Sequence, residues 1–281
     1  MFPRLYEFFL CIYLIILFIF FIIFYICLPR LQSLHKQIPT SYYPIFYTIS
    51  SLVLNFVFGI KPILSILLHL SILIISNFIG VRLRVAGLTG QICSGKSTVA
   101  KYLTEKYKAY VIDIDELNRK VLDYDVVKTE IRKKFGDEVY DDKNQLDKLK
   151  MRRIIFADRE KKKILEGITH KRVFSLLIKT ILKQKFLYST KYIFIENAIL
   201  LRFKLLKFIC FPIISVISNN KTEVIKRILN RDHCDGATAE KILENQMNSE
   251  EFICQSEYVI FNDEGKDRLE EEVDKIMKII S

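Results

Sequence analysis

Glycine is scarce in this chain, at 9 of 281 residues. Each one retained therefore marks a place where the backbone needs freedom that a side chain would deny. The six cysteines are scattered without any CxxC spacing, and two lie in apolar runs, which argues against a disulfide framework. The four histidines are equally dispersed, so the sequence gives no support for a structural zinc site. Acidic side chains are almost missing from the first 84 residues, where Glu7 stands alone against six basic ones. The remaining chain is mixed in charge and mildly basic, with an overall formal charge of +11. That excess suits anionic partners such as nucleotides. No stretch interleaves aromatics with arginine as a base-stacking surface requires, so nucleic acid is not an expected partner.

The front of the chain carries long hydrophobic runs. Leu5 to Leu28 holds one charge near its start and none afterwards, and a bilayer core takes about 20 residues. It ends in CLPRLQ rather than in the small residues of a cleavage site. A second apolar stretch runs from Pro44 to Val81, broken at Lys61-Pro62. The expectation is a membrane region over residues 1–80 with two or three transmembrane helices, the lipid bilayer as partner. With three crossings, the Arg30/Lys36 loop and the basic domain after Arg82 share one side, which the positive-inside rule makes the cytosol.

From residue 81 to 281 the pattern becomes that of an α/β domain. VRLRVAGLT reads as a buried strand, GQICSGKS as a turn and STVAKYLTEKY as a helix. Gly90, Gly95, Lys96 and Ser97 fit G-x-x-x-x-G-K-[ST] in that strand–turn–helix context. Successive backbone N–H groups and a helix N-terminus then form an anion hole for phosphates. Lys96 is expected to reach the β/γ-phosphates of ATP, and the Ser97 hydroxyl to hold Mg²⁺. Next, AYVIDIDELNRKV predicts a short strand ending in Asp113 and Asp115, then a helix carrying Arg119. Carboxylates at that place sit beside the phosphate loop of a parallel sheet, and Asp115 is the preferred acceptor of a hydroxyl proton. Asp113 is open to a second reading, as the N-cap of the helix. Further strands are expected at residues 192–196, 213–218 and 258–261, alternating with amphipathic helices, which argues for a parallel sheet covered on both faces.

These strings together resemble the dephospho-CoA kinase family, whose usual forms are GLTGGIGSGKSTV and D-A-D-x-x-A-R. The similarity continues in order through KKFGDEVYDDKNQLDKLKMRRIIF, LEGITHKRV, RILNRD, ILENQMNSEE and SEYVIFND, covering the chain from Arg84 onward. The resemblance implies transfer of the ATP γ-phosphoryl group to the ribose 3′-hydroxyl of dephospho-CoA. It implies an α/β P-loop core with a helical substrate-binding region and a lid. Carried over residue by residue, Cys93, Ser94, Gly95, Lys96, Ser97 and Thr98 form the nucleotide loop. Asp115 is the base, with Asp113 and Arg119 beside it, His170 belongs to the substrate region, and Arg227 and Arg231 are lid arginines. Four positions depart from the pattern: Gln91 and Cys93 replace glycines, Lys171 a proline, and Arg202 a glutamate. Gln91 is expected to add bulk near the phosphates, and Cys93 to be tolerated if its φ stays negative. Two rivals remain open: another small-molecule kinase on the same loop, and a membrane scaffold that binds nucleotide without turnover.

Overall fold

The computed structural model describes residues 10–17, 19–21, 61–141, 145–232 and 235–280. The chain divides into two compact units, one of Met1–Ala86 with Leu201–Ile213, the other of Gly87–Leu200 with Ile214–Ser281.

In the first unit, helix α1 (Pro62–Arg82) turns Ile63, Leu64, Ile74 and Phe78 outward and buries His69 and Ser76. Among the described residues no helix is long and apolar enough to cross a membrane. The transmembrane helices expected over residues 1–80 are therefore not found among the described residues. Most of the Leu5–Leu28 run, and of the stretch from Pro44 to Lys61, lies outside the described residues.

The sheet has five strands: β1 (Val85–Gly90), β2 (Tyr110–Asp113), β3 (Ile193–Glu196), β4 (Cys210–Ile217) and β5 (Tyr258–Phe261). Their order is β2-β3-β1-β4-β5. The pairs β2–β3 and β4–β5 are parallel. All six residues of β1 are buried, as in a strand covered on both faces. The order places the first strand centrally, and the crevice beyond the carboxyl ends of such strands is where α/β sheets bind ligands.

Helices fill the intervals between strands. After β1 comes α2 (Lys96–Tyr107), and after β2 come α3 (Ile114–Leu122), α4 (Asp125–Phe135), α5 (Lys148–Ala157) and the long α6 (Arg159–Leu182). The Asp147 and Asp158 side chains cap α5 and α6 by accepting from first-turn amides. These four helices share a core of their own, in which Val121, Val127, Ile131, Phe135, Met151 and Ile168 are buried together.

Beyond β3, α7 (Lys204–Ile209) precedes β4. After it come α8 (Lys221–Asp232), α9 (Gly236–Glu244) and α10 (Ser249–Gln255), and α11 (Lys266–Ile280) follows β5. Val224 and Ile228 of α8 bury against Ala239 of α9, with Ile92 and Cys93 packed on the same cluster. Helix α11 buries Leu269, Val273, Ile276 and Met277, one stripe at helical spacing, and packs on α2 and β5.

Candidate active site

The loop between β1 and α2 is shaped by backbone contacts that exclude side chains. Gly90 has φ +141°, and a Cβ there would lie 1.9 Å from the Val216 carbonyl oxygen. Only glycine lets the chain run this close to β4, where Gln91 N–H then donates to Val216 O at 3.2 Å. Gly95 has φ +101°, and its missing Cβ would meet Asn262 Nδ2 at 2.4 Å. Cys93 also takes a left-handed conformation, with φ +54°, contrary to the expectation of a negative value. Its packing on the α8–α9 cluster explains how a non-glycine residue is held in that strained region.

The loop then opens directly into α2, whose N-cap Gly95 offers no side-chain cap. Thr98 N–H donates to Gly95 O at 3.0 Å, and the Lys96 and Ser97 amides are left for an external acceptor. The Ser94 hydroxyl is buried with no hydrogen-bond partner, an orphan polar atom in the same cradle. Both features fit a polyphosphate. Asn262, at the end of β5, supports the cradle from behind by donating to Ser94 O at 2.8 Å.

Lys96 turns back on its own loop, donating from Nζ to Gly90 O at 3.1 Å and Gln91 O at 2.5 Å. Burial pulls its ammonium down to about 8, against the opposing pull of Glu196. Three carboxylates set by strand register and helix start line the same cleft as Lys96. Asp113 and Glu196 are direct partners across β2–β3, and Asp115 lies in the first turn of α3. Asp113 Oδ1 caps α3 by accepting from Asp115 N–H at 2.7 Å and Glu116 N–H at 3.3 Å, so the N-cap reading holds for it. Burial raises the Asp115 carboxyl above its ordinary value, with Asp113 adding to the effect. Burial followed by Asp113 does the same to Glu196.

One cleft of about 780 Å³ gathers these groups. Of the residues expected from sequence, it is lined by Cys93, Ser94, Gly95, Lys96, Ser97, Thr98, Asp113, Asp115, Arg227 and Arg231. Arg227 also reaches Cys93 O from its guanidinium at 3.4 Å. Gly90 shapes the loop from beneath and does not line the cleft. Arg119 pairs with Asp113 at 3.7 Å and stays largely exposed outside the lining. His170 is exposed on α6, away from the lining. Arg202, the fourth departure, is likewise exposed and outside it.

The Gln91 side chain does not crowd the phosphate site: it is buried on the other side of the loop, bonded to Ser218 and Ser249. Sequence reasoning did not single out Asn197, Asn262 or Lys266, all of which line the cleft. The string SEYVIFND carried a signal for Asn262, which follows a predicted strand as the carboxylates of the cleft do. Among the described residues, no group of three or more His, Cys, Asp or Glu could hold a metal ion by itself.

Comparison with known proteins agrees with this geometry. The family model described as dephospho-CoA kinase matches residues 84–267. A dephospho-CoA kinase of Fusobacterium nucleatum is 34% identical over 197 residues, covering 70% of this chain and 98% of that protein. One from Borreliella burgdorferi is 34% identical over 199 residues, covering 69% and 93%. Among solved structures, TT1252 from Thermus thermophilus shares the fold, with a TM-score of 0.61 at 24% identity over 70% of this chain and 98% of that one. A glycine-shaped phosphate cradle facing carboxylates, and sequence similarity running the length of known relatives, lead to one assignment: the chain belongs to the dephospho-CoA kinase family.

Proposed function

We propose that the cleft transfers the γ-phosphoryl group of ATP to the ribose 3′-hydroxyl of dephospho-CoA, giving CoA and ADP. The observation that carries this reading is the meeting of Lys96, Asp115, Glu196, Arg227 and Arg231 in one cleft beside the phosphate loop. Phosphoryl transfer asks little covalent chemistry of a protein; it needs positioning and charge stabilisation. The loop amides and Lys96 bind the β- and γ-phosphates. Asp115, with its raised pKa, accepts the proton of the attacking hydroxyl. Arg227 and Arg231 of α8 stabilise the charge that builds on the transferring group. Asp113 fixes the start of α3, and Arg119 holds Asp113 from outside. His170 on α6 serves the acceptor substrate. Mg²⁺ bound with ATP would be held by the exposed Ser97 hydroxyl, with phosphate oxygens and water as further ligands, and would neutralise phosphate charge.

The test is an assay of the full chain against dephospho-CoA, pantetheine and nucleoside monophosphates. Product from dephospho-CoA alone is expected. Phosphorylation of a monophosphate but not dephospho-CoA would overturn the reading in favour of another small-molecule kinase. ATP binding with no turnover above a Lys96→Ala control would make the chain a non-catalytic nucleotide binder.

The same reading places the enzyme at a membrane, with the kinase domain facing the cytosol. The support is the uncharged apolar run from Phe8 to Leu28 and the outward-facing isoleucine, leucine and phenylalanine residues of α1. Carbonate-resistant membrane association of the full chain is expected. Release into the supernatant by carbonate or high salt would refute the anchor.

A further inference from the structure

Gln91 stands where the family pattern has a glycine, and its side chain makes contacts that no glycine can make. The carboxamide is buried and engaged at both ends: Oε1 accepts from Ser218 N–H at 3.1 Å, and Nε2 donates to Ser249 Oγ at 3.0 Å. Ser218 follows the last residue of β4, and Ser249 opens α10. One residue along the loop, Ile92 N–H donates to Gln246 Oε1 at 2.6 Å. The Gln91 backbone is committed as well, its N–H to Val216 and its carbonyl to Lys96 Nζ. Gln91 itself does not line the cleft, so this side chain acts on the nucleotide only through the loop.

We propose that Gln91 is a positioning residue for phosphate binding: its carboxamide straps the back of the phosphate loop to Ser218 and Ser249 and holds the loop in its binding form before nucleotide arrives. The inference rests on the phosphoryl-transfer reading of the cleft. A flexible loop must be ordered when it closes on a polyphosphate, and that ordering subtracts from affinity. The strap moves the ordering into folding. Because the Gln91 carbonyl accepts from Lys96, the strap also fixes the resting place of the lysine. The departure from glycine is therefore a gain of preorganisation in this chain rather than a sign of a decayed site.

The experiment compares the full-length wild type with Gln91→Met, Ser249→Ala and their double variant. Methionine keeps the length of the side chain and removes both amide bonds. MgATP affinity by calorimetry, KM for ATP, kcat with dephospho-CoA and Tm are measured for each. Gln91→Met should raise Kd and KM for ATP by roughly tenfold, with kcat falling less than KM rises. Ser249→Ala should move the same way by a smaller factor, and the double variant should be no worse than Gln91→Met alone. Gln91→Glu, whose oxygens can accept from both Ser218 N–H and Ser249 O–H, should recover much of the loss.

A lowered Tm with unchanged ATP affinity would show a purely structural role and overturn the proposal, as would fully additive effects. If Gln91→Met does not fold, Ser249→Ala, which removes one hydroxyl, decides on the same readouts. A wild type that binds ATP but leaves dephospho-CoA unmodified would refute the functional reading, while the affinity measurements would still decide the strap.

Discussion

Lys96 loses its proton near pH 8 in the free enzyme because burial disfavours the ammonium, whereas an unfolded chain keeps it to 10.5. The polyphosphate of ATP reverses that preference, since a dense negative charge beside the amine favours its protonated form. Nucleotide binding should therefore draw a proton from solvent. At pH 8 roughly half of the free molecules carry a neutral Lys96, so binding takes up roughly half a proton, and about a tenth at pH 7. Above pH 8 the apparent ATP affinity should fall by up to roughly tenfold per pH unit.

The stability of the free enzyme moves the other way. Between about 8 and 10.5 the unfolded chain binds more protons at this site than the folded one, so the contribution of Lys96 to stability rises with pH. Calorimetry of ATP binding at pH 8, in two buffers of different ionisation enthalpy, reads the proton count. Competitive acylation of Lys96 followed by mass spectrometry reads the pKa without nucleotide. Lys96→Arg keeps its charge at every accessible pH and should abolish the uptake even where it weakens binding. Uptake below about a tenth of a proton at pH 8, or the same uptake in the arginine variant, would refute the reasoning.

Gly90→Ala drives a Cβ to 1.9 Å from a backbone oxygen in a positive-φ conformation, and should cost about 3–5 kcal/mol together with loss of ATP binding; chemical denaturation and calorimetry check both. Asp115→Asn should lower kcat by roughly 10²–10⁴-fold while ATP affinity stays near wild type, and an unchanged turnover would remove Asp115 as the base. Asp274 accepts from Tyr102 at 2.9 Å, Tyr107 at 2.7 Å and Lys106 at 2.6 Å, tying α11 to α2, and Asp274→Ala should cost about 1–2 kcal/mol by thermal denaturation. Burial would raise the Asp274 carboxyl, but the bonds from Lys106, Tyr107 and Tyr102 together hold it below its ordinary value. Its contribution is thus present at neutral pH and lost as pH falls below about 4, where wild-type and variant stabilities should converge.

The sequence by itself determined the parts of this protein that depend on local pattern. The β1–loop–α2 unit was legible because a buried apolar run, two glycines and a lysine–serine pair have few other uses in that order. The same holds for β3 and β5, whose predicted bounds fall within a residue of those observed, and for the amphipathic stripe of α11. Asp113 and Asp115 were readable from their place at a strand end.

Tertiary structure decided what lies between distant segments. Gln91 read as bulk near the phosphates, because sequence gives a side chain's size and not its direction; the partners that turn it away, Ser218 and Ser249, are 127 and 158 residues further on. Cys93 adopts the left-handed φ because packing on α8 and α9 holds it there, an energy that no local propensity contains. Glu196 meets Asp113 only through the register of β2 against β3, and Asn262 meets the loop only because β5 ends beside it. Motif spacing fixes chemistry along the chain, but the facing of side chains is set by which strands become neighbours.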